Sequence, residues 1–527
     1  MTGVLLLAAA AGCVCKTECG TMAEKQTDWK KINQQAFEKS LVPVALPQRD
    51  KIPFGNRKAV QFICPPVFEA PRADGVKRYR FELKDDAGKM LASFEAADSR
   101  EPLTPVWGKV PVEFVNLTIS PVGKDGKTGD ALFTRRFYRC AWFKGPYPLN
   151  NHDYRGGAEK CFRYIYTLPH VQAWLTGGTV DDKAYRKYCY PSKLLPALVR
   201  ALRHHAELDG SPAVRDQVTK ISTRMADWLI DNSCAPGTPL EYLPPTYWEH
   251  TSYKIAKQYV GQIMMIYPMS AGHVYLDAFK FTRDKKYLQA ACRLADSMKR
   301  LQLPNGSWML KVRISDGTPV VPNVVVFDRT MHEFLTELAK LSGNREYLKM
   351  RDRAMERIWK HNLPLWDWDG QFEDIMPKPQ YENLTKDGAL FVAEELFKKG
   401  DVQTALKLVD WSEDQFVVWS DPAPTHRYAA TWRLPAALEQ YNCYMPIDAS
   451  CAQFVFAFCR AYRVTGNELY LEKAKAIADN ILRNQRPDGF IPTFFQDSEH
   501  LTWLNCMTFS AESLLYLDET LKGEKKL

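Results

Sequence analysis

The chain has 527 residues, of which 46% are hydrophobic and 25% charged, so it is long enough for two or three globular domains with substantial cores. Its net charge of +8 is mild and dispersed, which argues against a nucleic-acid partner and suits an anionic substrate such as a uronic-acid saccharide. Its 13 cysteines contain no CxxC pair, its 10 histidines show no metal-ligand spacing, and phosphate or dinucleotide loops are absent, so we expect neither a metal nor another cofactor.

The first feature along the chain is a short apolar run that ends in Ala10-Ala11-Gly12-Cys13. The run is too short to span a bilayer, and it resembles the lipobox of a bacterial lipoprotein signal. It departs from that pattern because no Lys or Arg precedes the run and Ala10 stands where Leu is usual. We therefore expect residues 1–20 to be a signal with lipidation at Cys13, and the protein to be exported and lipid-anchored in a bacterial envelope, in the periplasm or at the outer membrane.

Residues 50–147 contain short segments of strand length separated by Asp-Gly and Asp-Ala-Gly turns. The segments are Ala59–Ile63, Lys77–Leu83, Val112–Ile119 and Ala131–Tyr138. Their spacing predicts a small β-sandwich domain, which resembles the fibronectin type III-like modules that precede carbohydrate-active catalytic domains.

From Pro191 onwards the apolar spacing becomes helical, and a repeat appears. A Tyr-Leu pair follows a short turn at Tyr287, Tyr347 and Tyr470, and these tyrosines are 60 and then 123 residues apart. Loop glycines repeat in the same way, with Gly306 and Gly489 lying 183 residues apart. The markers agree on one unit of about 61 residues.

Each unit is predicted to be a helix, a short turn, a second helix and a loop, and one such pair must stack on its neighbours to bury both faces. We expect second helices to begin near residues 211, 284, 345, 401 and 467, and a last helix near 506–520. With a further helix near Glu159–Trp174, residues 150–522 are predicted to form a closed (α/α)6 toroid, so the fold class is mainly α, a toroid preceded by a small β-sandwich.

Two loops in the first half of the ring carry groups suited to a sugar site. After two stiffening prolines come Tyr247, Trp248 and Glu249, aromatic faces for pyranose stacking and a carboxylate; the alternative is a loop packed under the ring. Asp328 and His332 stand at the start of a predicted inner helix, where Asp328 suits both a helix cap and a carboxylate facing the pocket.

The densest polar and aromatic stretch runs from His426 and Arg427, which suit a substrate carboxylate, through Glu439 and Tyr441 to Asp448. Glu439 and Asp448 flank one loop and are placed to reach a common site; the alternative is a helix cap at Asp448 and a solvated Glu439. The part from Trp432 to Asp448 does not recur in the repeat, which favours it as the functional loop.

Two further segments complete the candidates. Trp503 lies in a C-terminal loop that would close the ring near its first pair. Asp367 and Asp369 in the run Trp366–Gly370 offer another carboxylate pair, although the Asp-Gly step there also belongs to the repeated turn.

The segments Glu439–Ser450, Gln302–Trp308 and Thr465–Asn467 resemble bacterial (α/α)6-toroid carbohydrate-active enzymes. That group includes unsaturated glucuronyl hydrolases, β-glucuronidase-like hydrolases, N-acylglucosamine 2-epimerases and polysaccharide lyases. The resemblance covers about residues 150–520 and implies the fold and a saccharide partner, but no single activity.

The leading hypothesis is a glycoside hydrolase acting on a uronic-acid-containing oligo- or polysaccharide, with Glu439, Asp448 and Asp328 in the acid and base roles. A lyase on the same substrates is the alternative, because Tyr247 and His426 offer a base and Arg427 a positive group. A non-catalytic surface glycan binder is the hypothesis from another class, and a sugar epimerase ranks lower because no pair of histidines is evident at the predicted pocket.

Overall fold

The structure is a computed structural model, and it describes residues 27–44, 58–148, 152–370, 372–373, 376–421, 433–494 and 501–523. Three predicted functional residues, Cys13, His426 and Arg427, lie outside this part of the chain. None of the helices within it is both long and apolar enough to cross a bilayer.

The N-terminal part is a small two-layered β-structure. Its helices are α1 (Trp29–Lys39) and α2 (Thr104–Trp107), and its strands are β1 (Gln61–Phe62), β2 (Val67–Glu69), β3 (Arg78–Lys84), β4 (Met90–Ala96), β5 (Arg100–Pro102), β6 (Phe114–Val122) and β7 (Phe133–Arg139). Five strands form one sheet in the order β1-β7-β6-β3-β4, in which only β1 and β7 run parallel, while β2 and β5 form a separate antiparallel pair.

Alternating apolar residues give this sheet a buried face. Tyr79, Phe81 and Leu83 of β3 are all buried, while the residues between them are partly exposed. Phe68 of β2 packs on Phe137 of β7 with ring centroids 5.5 Å apart, so the β2–β5 pair covers the sheet. The four predicted strand segments correspond to β1, β3, β6 and β7, whereas α1 lies in a stretch that the sequence presents only as polar.

The rest of the described chain is mainly helical, with short strands in its connections. Its helices are α3 (Tyr154–Thr167), α4 (Pro169–Gln172), α5 (Pro191–Asp209), α6 (Pro212–Asp231), α7 (Lys254–Lys257), α8 (Tyr267–Thr282), α9 (Lys285–Leu301), α10 (Arg329–Ser342), α11 (Glu346–Arg357), α12 (Leu363–Leu365), α13 (Asp387–Lys399), α14 (Val402–Phe416), α15 (Asp448–Thr465), α16 (Glu468–Asn484) and α17 (Leu504–Leu521).

Twelve of these helices form a closed ring of six pairs. The inner helices are α5, α8, α10, α13, α15 and α17, and their outer partners are α6, α9, α11, α14, α16 and α3. The ring closes because α17 packs against both α5 and α3. The predicted (α/α)6 toroid is therefore confirmed. Five outer helices begin one residue after the predicted positions, and α3 supplies the predicted closing helix.

The connections differ at the two ends of the ring. Each inner helix from α5 to α15 is joined to its outer partner by two or three residues, which makes every pair antiparallel. The six long connections all lead from an outer helix to the next inner helix; they span residues 168–190, 232–266, 302–328, 358–386, 417–447 and 485–503. All six inner helices consequently begin at the same end, which we call the mouth.

The long connections contain short strands that pair with one another. They are β8 (Gln262–Met264), β9 (Trp308–Met309), β10 (Lys311–Arg313), β11 (Val325–Val326), β12 (Val417–Val418), β13 (Ala436–Gln440) and β14 (Cys443–Pro446). Strands β8 and β10 pair, as do β9 and β11, and β12, β13 and β14 form a three-stranded sheet.

Candidate active site at the mouth of the ring

Carboxylates stand at the start of three neighbouring inner helices. Asp328 precedes α10, Asp387 is the first residue of α13, and Asp448 is the first residue of α15. Glu439 lies on β13, directly before α15. Because all three helices begin at the mouth, these side chains form one acidic half of it.

Asp328 caps α10, since its Oδ1 accepts a hydrogen bond from the backbone N–H of Met331 at 2.9 Å. Burial raises the pKa of Asp328 to about 6, and the nearby carboxylates of Glu333 and Asp387 act in the same direction. A carboxyl group with this pKa holds its proton through mildly acidic conditions and can donate it to a leaving group.

Lys386 joins the parts of the acidic half. Its side chain is 2% exposed, and its ammonium group donates to the backbone oxygen of Glu439 at 2.7 Å and to Ser450 Oγ at 2.6 Å. The same group lies 3.8 Å from the carboxylate of exposed Asp387. Burial lowers the pKa of Lys386. The lysine thereby fixes β13 against the start of α13 and the first turn of α15.

Three carboxylates act on one buried thiol, that of Cys506 in the first turn of α17. Burial raises the pKa of this thiol most, and the charges of Asp448, Glu439 and Glu373 raise it further. Asp448 is fully buried, and its Oδ2 accepts a hydrogen bond from Ser510 Oγ at 3.1 Å. Asp448 and Glu439 thus both lie near enough to Cys506 to raise the pKa of its thiol, as does Glu373, a carboxylate that the sequence did not single out; a shared catalytic role for Glu439 and Asp448 stays a prediction.

The opposite half of the mouth is cationic and aromatic. The ammonium groups of Lys187 and Lys193 lie 3.8 and 3.9 Å from the centroid of the Trp503 ring, and the ring of Tyr190 stacks on Trp503 at 5.4 Å. Lys311 on β10 lies 4.3 Å from the ring of Tyr259. These cation–aromatic contacts stabilise the ammonium groups of the three lysines, whose side chains are largely buried.

Glu373 comes from the acidic side of the mouth and contacts residues of the cationic half. It belongs to the connection that leads to α13, whereas Lys193 stands on α5, on the opposite side of the ring. Lys193 forms an ion pair with the Glu373 carboxylate, and Tyr267 OH donates to it at 2.5 Å. The backbone oxygen of Glu373 accepts from Tyr247 OH at 2.7 Å and from Lys311 Nζ at 3.1 Å.

The charge state of Glu373 follows from this setting. Its side chain is 1% exposed, and such burial by itself raises the pKa of a carboxyl group. The ion pair with Lys193 and the hydrogen bond from Tyr267 outweigh the burial, so the pKa of Glu373 lies below its usual range. Glu373 is therefore held as a buried carboxylate.

Other predicted site residues lie at varying distances from this centre. Tyr247 and Trp503 belong to the cationic half, as their contacts above show. Trp248 packs on Trp228, and Glu249 is exposed beside His250 at 3.3 Å. Their role in binding substrate stays a prediction.

Tyr441 points into the packing of the ring. Its ring stacks on those of Phe416 and Tyr444, with centroids 5.6 Å away in both cases, and its OH donates to Gln415 Oε1 at 2.7 Å. Only 7% of this residue is exposed, so its contacts in the structure are those of a core residue.

The carboxylates of Asp367 and Asp369 interact within the connection that precedes α13. Burial first and the neighbouring Asp367 second raise the pKa of Asp369 to about 8, while His361 and Gln380 hold the pKa of Asp367 below its usual value. Gln380 Nε2 donates to Asp367 Oδ2 at 2.9 Å.

Below the mouth, ion pairs link neighbouring inner helices. The pairs are Arg200–Glu512 at 3.1 Å, Arg203–Asp277 at 3.3 Å, Lys280–Glu337 at 2.8 Å, Arg460–Glu394 at 3.1 Å, and Arg329–Glu394. Three histidines join this belt, each close to a glutamate: His204 to Glu512 at 3.4 Å, His273 to Glu337 at 3.6 Å and His332 to Glu395 at 3.8 Å. Burial lowers the pKa of His332.

No protein family and no curated protein sequence matches the chain. Among solved structures, it is similar to a family 76 glycoside hydrolase from a bovine Bacteroides thetaiotaomicron strain, with 9% identity, a TM-score of 0.43 and coverage of 87% of this chain and 99% of that one. An unsaturated glucuronyl hydrolase specific for heparin gives 11% identity, a TM-score of 0.44 and coverage of 71% and 100%.

A D-mannose isomerase gives 10% identity, a TM-score of 0.46 and coverage of 71% of this chain and 100% of that one. At such low identities and scores, these likenesses say nothing about the activity of this chain.

Proposed function

We propose that the protein is a glycoside hydrolase that cleaves a saccharide containing a uronic acid. The observation that carries the proposal is the division of the mouth into an acidic half, with Asp328 and Glu439, and a cationic half, with Lys187, Lys193 and Lys311. The acidic half supplies groups for bond cleavage, and the cationic half supplies groups for a substrate carboxylate.

Cleavage of a glycosidic bond needs one carboxylic acid to protonate the leaving oxygen and one carboxylate to attack the sugar or activate water. Asp328 is suited to the first role because burial raises its pKa to about 6. Glu439 is assigned the second role, beside the buried Lys386. Asp448, fully buried behind them, is assigned the positioning of Ser510 and of the first turn of α15.

An anionic substrate is favoured by two features of the mouth. Six inner helices begin there, and each helix start carries a partial positive charge from its unpaired N–H groups. Buried lysines add full charges, since Lys187 and Lys311 are 8% and 1% exposed. A uronic-acid carboxylate forms hydrogen bonds of opposite charge with these donors, whereas a hydroxymethyl group can accept from them only as a neutral partner and more weakly.

The test is digestion of a panel of acidic and neutral glycans by the purified full chain, with products identified by mass spectrometry. We expect shorter saccharides that have gained water and carry a uronic acid next to the cleaved bond. Products with a new unsaturated, ultraviolet-absorbing end would instead identify a lyase.

Two substitutions tie this activity to the mouth. Glu439→Gln is expected to abolish turnover, and Asp448→Asn, at a positioning residue, is expected to lower it, while the circular dichroism spectrum of both stays native; near-normal activity in Glu439→Gln would end the assignment. Glu356→Gln, an exposed glutamate of the outer helix α11, is the matched control and is expected to keep full activity.

A second candidate function, sugar epimerisation or isomerisation, is favoured by the histidines below the mouth. His204, His273 and His332 come from the three adjacent inner helices α5, α8 and α10, each next to a glutamate. Histidines act as general acids and bases, and two of them on either side of a bound sugar can move a proton from one carbon to another. In the glycan experiment this activity would appear as an isomer of unchanged mass.

We also propose that the protein is exported and lipid-anchored through Cys13, which rests on the lipobox-like sequence alone. Expression in a bacterial host with a labelled fatty acid tests it: the full-length chain should take up label and enter the detergent phase. The Cys13→Ser variant should do neither, and equal labelling of both would contradict the proposal.

A further inference from the structure

Four side chains on rigid elements converge on a single residue of a connection. Lys193 is in the first turn of α5, Tyr267 begins α8, and Lys311 lies on β10, which is hydrogen-bonded to β8. Tyr247 completes the set, and all four contact Glu373. Lys193 and Tyr267 contact the Glu373 carboxylate, whereas Tyr247 and Lys311 donate to its backbone oxygen, so donors from separate parts of the ring hold both ends of this residue.

Contacts that do not involve Glu373 hold the cations of this set in place. Lys193 Nζ lies 3.9 Å from the centroid of Trp503, and Lys311 Nζ lies 4.3 Å from that of Tyr259. Tyr247 packs on the same Tyr259 ring at 5.5 Å. The receiving side chains are therefore fixed by the ring and its aromatic residues, as expected of a preformed anion-binding pocket.

We propose that Lys193 and Tyr267 form the subsite that binds the carboxylate of the substrate's uronic acid, and that Glu373 occupies this subsite until the substrate displaces it. The inference rests on the proposed function for its substrate class. The Glu373 carboxylate has the same charge and the same acceptor geometry as a uronate. Exchange of one for the other keeps the ion pair with Lys193 and the hydrogen bond from Tyr267.

The exchange also explains how a neutral sugar would be rejected. A hydroxymethyl group that displaced Glu373 would leave the ammonium group of Lys193, whose side chain is 14% exposed, facing a neutral partner. A buried charge that loses its counter-ion is costly. Glu373 therefore acts as a specificity-determining residue, because only an anionic group can replace it at no loss of charge pairing.

The experiment measures binding of methyl β-D-glucuronide and methyl β-D-glucoside to the full chain by titration calorimetry. Glu373→Gln keeps the size of the side chain and removes its charge, so the glucuronide no longer competes with an internal carboxylate. We expect this variant to bind the glucuronide about tenfold more tightly than the unsubstituted protein, with the glucoside unchanged. Unchanged or weaker glucuronide binding would show that Glu373 does not occupy the subsite.

Lys193→Met and Tyr267→Phe test the subsite itself. Both are expected to lose the preference for glucuronide over glucoside, and retention of that preference in a folded Lys193→Met or Tyr267→Phe protein would overturn the inference. Lys257→Met removes an exposed lysine of α7 and serves as the charge control, with the preference expected to persist. Thermal melts of all variants establish that each is folded.

The outcomes separate this inference from the proposed function. If glucuronide binding changes in these variants as expected but no glycan is cleaved, the subsite is supported and the proposed hydrolase activity is contradicted. If the protein cleaves acidic glycans and Lys193→Met still prefers glucuronide over glucoside, the hydrolase activity is supported and the subsite is contradicted.

Discussion

Asp328 combines two tasks in one side chain. Its Oδ1 accepts the backbone N–H of Met331, which satisfies one of the unpaired donors at the start of α10. Its burial raises the pKa to about 6, which suits a proton donor. The two tasks depend on different properties, since a cap needs only an acceptor oxygen whereas an acid needs a proton.

Asn caps helices as well as Asp does but cannot donate an acidic proton. We expect Asp328→Asn to lower kcat by about 10²- to 10⁴-fold, the usual contribution of a general acid, with little change in thermal stability. In the unsubstituted protein, kcat should fall as the pH rises through about 6, because Asp328 then loses its proton. This alkaline limb should be absent from the residual activity of the variant in a pH–rate profile.

Asp401 provides the matched control. It caps the outer helix α14 by accepting from Thr404 N–H at 3.2 Å, in a short turn at the end of the ring opposite the mouth. Asp401→Ala should cost about 1 kcal/mol of stability, as loss of a cap does, and leave kcat unchanged. Full activity of Asp328→Asn across the pH range would remove Asp328 from the catalytic role.

The short turns show how the repeat is built at the scale of helix pairs. Inner helices α5, α10, α13 and α15 are each followed by a glycine in the left-handed region, at Gly210, Gly343, Gly400 and Gly466. The turn after α8 has Arg283 in the same place, with φ of 63°. The backbone geometry repeats although the residue does not.

We expect Arg283→Gly to stabilise the protein by roughly 0.5 kcal/mol, because a non-glycine residue in the left-handed region costs about 1 kcal/mol and glycine gives back part of this through a more flexible unfolded chain. Arg283 is exposed, so the substitution removes no buried contact. Urea unfolding followed by circular dichroism measures the difference as a shift of the midpoint to higher urea.

The reverse change tests the same cause. A Cβ at Gly343 would meet no atom within 4 Å, so Gly343→Ala introduces only the backbone strain, with φ of 73°. It should destabilise the protein by about 1 kcal/mol. A lower urea midpoint for Arg283→Gly would show that its side chain, rather than its backbone conformation, decides the stability of this turn.

Local signals explain why the helix pairs could be predicted from the sequence. Turn residues, caps and apolar spacing all act within a few residues, and they placed five outer helices within one residue of their observed starts. The role of Asp328 as a helix cap could be predicted for the same reason. By contrast, α1 depends on distant contacts such as Lys39 with Asp410 at 2.8 Å, and its own sequence reads as polar.

The central part of the candidate site could not be predicted in this way. Glu373 is separated along the chain from Lys193 by 180 residues and from Tyr267 by 106. Only closure of the ring brings these residues together, and no spacing in the sequence predicts that they are in contact. Glu439 and Asp448 were accessible to prediction because they flank one short loop.

At the scale of the whole molecule, the ring covers an edge of the N-terminal sheet. β1 is the outermost strand of that sheet, and an edge strand has backbone groups without strand partners. Asp414 at the end of α14 supplies an acceptor, since its Oδ1 takes hydrogen bonds from Ile63 N–H and Cys64 N–H, both at 2.7 Å. Gln61 Nε2 donates to the backbone oxygen of Val417 at 3.0 Å. The sheet and the ring are joined through these buried bonds.

This junction also gives stability a pH dependence. Burial raises the pKa of Asp414 to about 7 in the folded protein, above the value of about 4 for an unfolded chain. Between these values the folded state binds the proton more tightly than the unfolded state does, so the contribution of Asp414 to stability decreases as the pH rises from about 4 to 7. Asp414→Asn keeps an acceptor oxygen and should remove this part of the pH dependence.

Because the junction is buried and hydrogen-bonded, we expect the sheet and the ring to unfold in one calorimetric transition. Asp414→Ala leaves Ile63 N–H and Cys64 N–H without their acceptor, at a cost of about 1–3 kcal/mol for each buried donor. The N-terminal part should then melt before the ring, and scanning calorimetry should resolve two transitions where the unsubstituted protein and Asp414→Asn show one. A single transition at unchanged temperature in Asp414→Ala would mean that other contacts, such as that of Gln61 with Val417, suffice to join the two parts.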